Sequence, residues 1–189
     1  MSMKNLLVVG VGGAGAQIAG QFGVRFGWPT LEINTDSAAL KQSALDRQLL
    51  IGFSVCQGQA ANTPMRGRLA AQESLQVIQS EFDSENVLVL VAGLGGGTGT
   101  GAIPVIFDVV QSMGVNCVAA LTLPFEHESG RRKIAFDALS ELRSRRIAVF
   151  VHDLAASMEN KNLLDAFQGA AEELAEAVNA SLLEFQQAG

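Results

Sequence analysis

Short apolar runs recur along this chain, and each is followed by a stretch with helical spacing. The runs at 6–9, 30–33, 48–51, 87–91, 115–121 and 147–151 are partly β-branched and apolar on both faces. Parallel strands covered by helices on both sides have this character. Between them, segments 15–26, 37–45, 64–82, 99–113 and 131–145 read as helices. The alternation predicts a three-layer α/β domain, a parallel sheet flanked by helices and joined by right-handed crossovers. Segment 99–113 carries Ile103, Ile106, Val110 and Met113 on one side with Val105 and Val109 beside them, which predicts burial. Segment 162–185 repeats Leu163, Phe167, Ala170, Leu174, Val178 and Phe185 at helical intervals, a long amphipathic helix to close the fold. No repeat, low-complexity tract or linker interrupts the chain, so residues 1–189 read as one domain.

Composition narrows the functional classes. With 189 residues, 48% of them hydrophobic and 17% charged, the chain can bury a sizeable core. A net charge of −6 argues against a sequence-independent nucleic-acid binder, which needs a basic face to displace counterions. Arg131-Arg132-Lys133 and the basic cluster at 143–146 are too short to change that. No apolar run approaches the length of a membrane span, so no membrane insertion is expected. Cys56 and Cys117 lie outside any CxxC pair and read as free thiols in a reducing, cytoplasmic setting.

Two glycine-rich segments carry the candidate chemistry. The first strand runs into Gly10-Val11-Gly12-Gly13-Ala14-Gly15, a G-x-G-x-x-G pattern. Such a turn brings backbone N–H groups close to a phosphate at a helix N-terminus. The next strand ends in Asn34-Thr35-Asp36, where a dinucleotide-binding fold places its ribose-binding acid. This loop alone leaves an NAD(P)-dependent Rossmann oxidoreductase and a mononucleotide binder both open, besides glycines that only permit close packing. The second segment is Ala92-Gly93-Leu94-Gly95-Gly96-Gly97-Thr98-Gly99-Thr100-Gly101-Ala102, with five glycines between 95 and 101. A tight turn needs one or two glycines, whereas a loop wrapped around an anion can use all of them. Thr98 and Thr100 offer hydroxyl donors, and the helix that follows offers its positive end. No GxxxxGK[ST] motif supplies a lysine, so backbone N–H groups and Mg²⁺ are expected to neutralise the phosphates.

The segment Gly95-Gly96-Gly97-Thr98-Gly99-Thr100-Gly101 resembles the signature of the tubulin/FtsZ GTPases, and other segments resemble that family in order. Residues 10–17 look like its first phosphate loop and Asn34-Thr35-Asp36 like its segment near Mg²⁺. The stretch Gly58-Gln59-Ala60-Ala61-Asn62-Thr63-Pro64 is similar to its γ-phosphate-sensing loop, with one extra residue. Pro124-Phe125 followed by Glu128 and Arg132 is similar to its ribose segment. The resemblance implies a Rossmann-like fold of the tubulin/FtsZ GTPase-domain type, ending in a long core helix, that binds GTP or GDP with Mg²⁺. It implies phosphate contacts at Gly12, Gly13, Ala14, Gly15, Gln17, Ala61, Gly95, Gly96, Gly97, Thr98 and Gly99. Asn34 and Asp36 would place the metal, Asp36 through water; Glu128 and Arg132 would hold the ribose, and Phe167 the base.

The sequence also departs from the family pattern. Gln17 and His152 stand where the family has asparagine. Ala171 stands where an acid or amide reads the guanine edge, which removes one source of guanine selectivity. Glu172 and Glu173 are adjacent, but one helical step turns a side chain by about 100°. The family's water-activating loop lies beyond its long helix and is not found in this chain, so no catalytic residue is assigned. The implied function is a cytoskeletal-type switch or regulator of filament assembly with weak or no hydrolysis alone. Its expected partners are itself or a full-length tubulin/FtsZ-like protein. A self-sufficient slow GTPase signalling through residues 60–64 is the alternative, and the oxidoreductase a remote third.

Overall fold

A computed structural model describes residues 6–82, 87–145, 147–157 and 163–187. Six strands form one sheet: β1 Leu6–Val11, β2 Thr30–Asn34, β3 Arg47–Leu50, β4 Val87–Gly93, β5 Asn116–Leu123 and β6 Ala148–Asp153. Their order is β3-β2-β1-β4-β5-β6, and every neighbouring pair is parallel. The chain winds outward from β1 to β3, then returns to lay β4 on the other side of β1. Strand order reverses there, and such a point opens a crevice at the carboxyl ends of the strands. The register pairs Val11 with Ala92, so the two glycine segments leave the sheet side by side at that crevice.

Helices cover both faces. Helices α1 (Gly12–Phe26) and α8 (Leu163–Gln187) pack on one, and the core there includes Leu6, Val8, Ile18, Phe22, Val89, Val118 and Leu174. Helices α4 (Pro64–Glu73), α5 (Leu75–Ser80), α6 (Thr98–Ser112) and α7 (Ser129–Arg143) cover the other, over Leu7, Val9, Leu31, Ile33, Leu88 and Leu90. Alternate strand residues thus feed opposite cores, which is why the strands read as unbroken apolar runs. Helix α6 lies between α4 and the sheet; Ile103, Ile106 and Val110 are buried, as its sequence predicts.

Three boundaries differ from the sequence expectation. The single helix predicted over 64–82 is broken at Ser74, whose Oγ accepts the Gly52 N–H at 2.8 Å. A short helix α3 (Phe53–Cys56), absent from the prediction, is held by the Glu73 carboxylate, which accepts the Ser54 and Val55 N–H groups at 2.9 and 3.1 Å. Helix α2 (Ser37–Lys41) stops before the predicted 45. A 3₁₀ turn, Leu154–Ser157, follows β6. Helix α8 spans 25 residues, matching the long closing helix. The side chains of Leu163 and Phe185 lie outside the described residues, as do residue 162 and Arg146. Among the described residues no helix is long and apolar enough to cross a membrane.

Candidate functional site

A groove runs across the carboxyl ends of β1 and β4. Gly12, Gly13 and Ala14 form one wall, 93–99 another, and Asn34, Asp36, Ala61, Glu128 and Phe167 close the rest. Helices α1 and α6 both start at this groove, and neither has a side-chain cap or an acid in its first turn. Their leading N–H groups are therefore left for an outside acceptor, and their dipoles add positive potential at the same place. The two N-termini touch: a Cβ on Gly12 would lie 3.0 Å from the Gly99 N. This convergence suits an anion with more than one phosphate.

The glycines divide into two kinds. A Cβ on Gly97 would sit 2.6 Å from the Asn62 N, and one on Gly99 2.8 Å from the Gly93 O. Gly101 meets the α4 backbone at Pro64 and Arg68, and Gly15 meets β4 at Val91. Side chains are excluded there by the protein's own backbone. Gly95 is needed for its positive φ of 98°. Gly13 and Gly96 have nothing within 4 Å and face open space. Packing alone therefore requires several of the five glycines of the second segment, whatever their N–H groups bind. Of the two threonines expected as donors, Thr98 lines the groove, but Thr100 turns inward and its Oγ1 accepts the Gly95 N–H at 2.8 Å.

At the end of β2, Asn34 Oδ1 accepts the Thr35 and Asp36 N–H groups at 2.8 and 3.2 Å, and its Nδ2 donates to Glu32 Oε1 at 2.8 Å. The Thr35 and Thr98 hydroxyls hydrogen-bond one another at 2.9 Å, which ties β2 to the start of α6. Asp36 caps α2 through Oδ1, accepting the Ala38 N–H at 2.9 Å, and faces the groove. Among the described residues no group of three or more His, Cys, Asp or Glu side chains is placed to hold a metal. One carboxylate at the groove, Asp36, is a donor that suits Mg²⁺, a hard cation bound through one or two carboxylates.

The remaining predicted residues are only partly brought together. Glu128 lines the groove, accepting Arg131 Nη1–H at 2.6 Å and the Phe125 N–H at 3.2 Å. Arg132 does not line it. Its guanidinium forms a fork with the Asp153 carboxylate at 2.7 and 2.8 Å and donates to the Pro124 carbonyl at 2.5 Å. The side-chain hydrogen bond between Arg132 and Asp153 raises the Arg132 pKa and holds the Asp153 carboxyl below its ordinary value. Arg131, one residue earlier, is the guanidinium at the groove. Gly15 is packed on β4, away from the groove. Gln17 is exposed on α1 and lines an adjoining cavity that shares Gly13 and Phe167 with the groove. Phe167 is half-buried and meets Phe125 edge-on at 6.1 Å. Ala171 is buried in the core beneath α8, so its small side chain is a packing choice. His152 Nδ1 pairs with Glu173 Oε2 at 2.8 Å. The sequence reading missed Glu32, although a lone acid inside an apolar strand was its visible signal. It also missed Arg131, which carried no signal that set it apart from Arg132.

With this geometry in place, the comparisons with known proteins are specific. The tubulin/FtsZ family, GTPase domain, matches residues 5–166. The chain belongs to the tubulin/FtsZ family. That membership favours the GTPase reading of the first glycine loop over the NAD(P) one. Cell division protein FtsZ 2 of Methanocaldococcus jannaschii is 33% identical over 180 residues, which cover 92% of this chain and 47% of the relative. Cell division protein FtsZ of Methanothermobacter thermautotrophicus is 38% identical over 155 residues, covering 79% and 40%. The chain thus spans less than half the length of these two relatives. Among solved structures, an empty FtsZ dimer of M. jannaschii superposes with a TM-score of 0.79 at 33% identity, over 92% of this chain and 53% of that one. A GTPγS-bound CetZ2 protofilament of Haloferax volcanii gives 0.81 at 23% identity over 94% and 58%, a likeness of fold. The tubulin/FtsZ assignment also matches the sheet order and the closing helix α8 described above.

Proposed function

We propose that this tubulin/FtsZ-family domain binds GTP or GDP in the groove across β1 and β4 and works as a switch or regulator in filament assembly in the cytoplasm. The carrying observation is the meeting of two uncapped helix N-termini at the point where strand order reverses. The phosphates would lie against the backbone at 12–14 and 95–99, and Asp36 would help to hold Mg²⁺ beside them. Bound there, Mg²⁺ supplies neutralising charge. Glu128 is placed for the ribose and Phe167 for the base, while Arg132 braces the 124–128 segment through Asp153.

Hydrolysis by this chain alone is slow in this reading. The carboxylates among the described groove residues are Asp36 and Glu128. One caps a helix and the other is tied to Arg131, so neither is set to activate water. The partner is a second copy or a longer tubulin/FtsZ-family protein, a reading supported by the FtsZ dimer and the CetZ2 protofilament among the structural neighbours.

Chromatography of the nucleotide released from denatured, freshly purified protein tests the reading. Guanine nucleotide is the expected result; a nicotinamide dinucleotide would overturn it. Phosphate release from GTP should be negligible in dilute protein. Release that stays constant per molecule on dilution would instead mark a self-sufficient slow GTPase.

A further inference from the structure

We propose that Glu32 is a positioning residue for the nucleotide groove, acting through Asn34; the inference rests on the nucleotide-binding reading above. Glu32 sits in the middle of β2 with 3% of its surface exposed. An apolar residue would suit a strand so fully covered, and burying a carboxylate is unfavourable unless it meets a donor. The donor here is Asn34 Nδ2–H, at 2.8 Å.

That contact anchors the Asn34 side chain at its far end. The Nδ2–H is held by Glu32 on one side, and the Oδ1 faces two backbone N–H donors on the other. The Oδ1 then accepts both Thr35 N–H and Asp36 N–H, at 2.8 and 3.2 Å, and shapes the turn that leaves β2. The turn places the Thr35 hydroxyl against Thr98, at the first residue of α6, and Asp36 at the groove. Asn34 is 3% exposed and Thr35 is fully buried, so water cannot stand in for these bonds. The line from Glu32 to Thr98 links the interior of one strand to the N-terminus of the helix that faces the phosphates. Glu32 touches no ligand in this scheme; it holds the Asn34 side chain in place against the turn.

Two variants separate positioning from support. Glu32→Met keeps the length and removes the acceptor, whereas Glu32→Gln keeps an amide oxygen that Asn34 can reach. In the nucleotide-free protein, hydrogen exchange at the Thr35 and Asp36 amides is expected to be about tenfold faster in E32M and near wild type in E32Q. The GTP dissociation constant should rise about tenfold in E32M and return in E32Q. The melting temperature of E32M should fall, because the buried Asn34 amide loses its acceptor, so exchange and affinity are compared well below each variant's transition. Wild-type amide protection and affinity in E32M would overturn the proposal, as would an affinity loss that E32Q shares in full. If the wild type itself binds no guanine nucleotide, the functional reading falls, and the exchange comparison still decides whether Glu32 holds the turn.

Discussion

The Thr35 and Thr98 hydroxyls join two segments that are far apart in sequence, and each satisfies the other in a buried place. Replacing either one strands its partner. Thr98→Val is expected to lower stability by about 1–2 kcal/mol, and Thr35→Val by a similar amount. The double variant should lose less than the sum of the two, by about 1 kcal/mol, in a cycle measured by urea unfolding. The Arg132–Asp153 fork makes a pH prediction. Because the hydrogen bond from Arg132 holds the Asp153 pKa below 3.8, its contribution is complete above that value and fades as pH falls through the lower folded-state pKa. Asp153 is about a third exposed, so the gap between wild type and Asp153→Asn should be only about 1 kcal/mol at pH 7. The gap should shrink once the pH drops below the ordinary carboxylate range. A gap that widens in acid would contradict the pairing.

Among the elements, α4 and α6 cross so closely that Gly67 and Gly101 serve as the contact. Gly101→Ala would drive a methyl group into the Pro64 carbonyl and should destabilise the protein by about 2–3 kcal/mol. Gly20→Ala in α1 meets only the Leu45 side chain, at 3.4 Å, and should stabilise by about 0.5–1 kcal/mol through helix propensity. Thermal unfolding of the pair checks both signs. The elements also show what could be read in advance. Each strand was legible because a parallel sheet covered on both faces needs an apolar run. The break at Ser74 was not, since it depends on the Gly52 N–H arriving from another segment. Nor was α3, whose first turn is held by Glu73. At the site, the loops were legible from their glycines and strand-end positions. The choice between Arg131 and Arg132 was not, because Asp153, at the end of a different strand, claims one of them.

For the molecule as a whole, a ligand bound only by the folded state should raise stability by mass action. At a GTP concentration a hundredfold above its dissociation constant, the gain is about 2.7 kcal/mol, or about 5–10 °C in melting temperature for a chain of this size. The single tryptophan, Trp28, is a convenient reporter. It stacks on Phe26 at 4.4 Å just before β2, at the end of the sheet opposite the groove. Its fluorescence should follow unfolding; ATP or NAD⁺ shifting the transition as far as GTP would count against guanine binding. The two kinds of glycine have a consequence for descent. Positions 97, 99 and 101 are occupied by the chain's own backbone, so a descendant that had stopped binding nucleotide would still be unable to change them. The motif can therefore outlive the activity, as masonry outlasts its tenants. Positions 13 and 96, hemmed in by nothing but a visiting ligand, are the ones free to drift once the ligand is gone, and a side chain there is the mark of a vacated site.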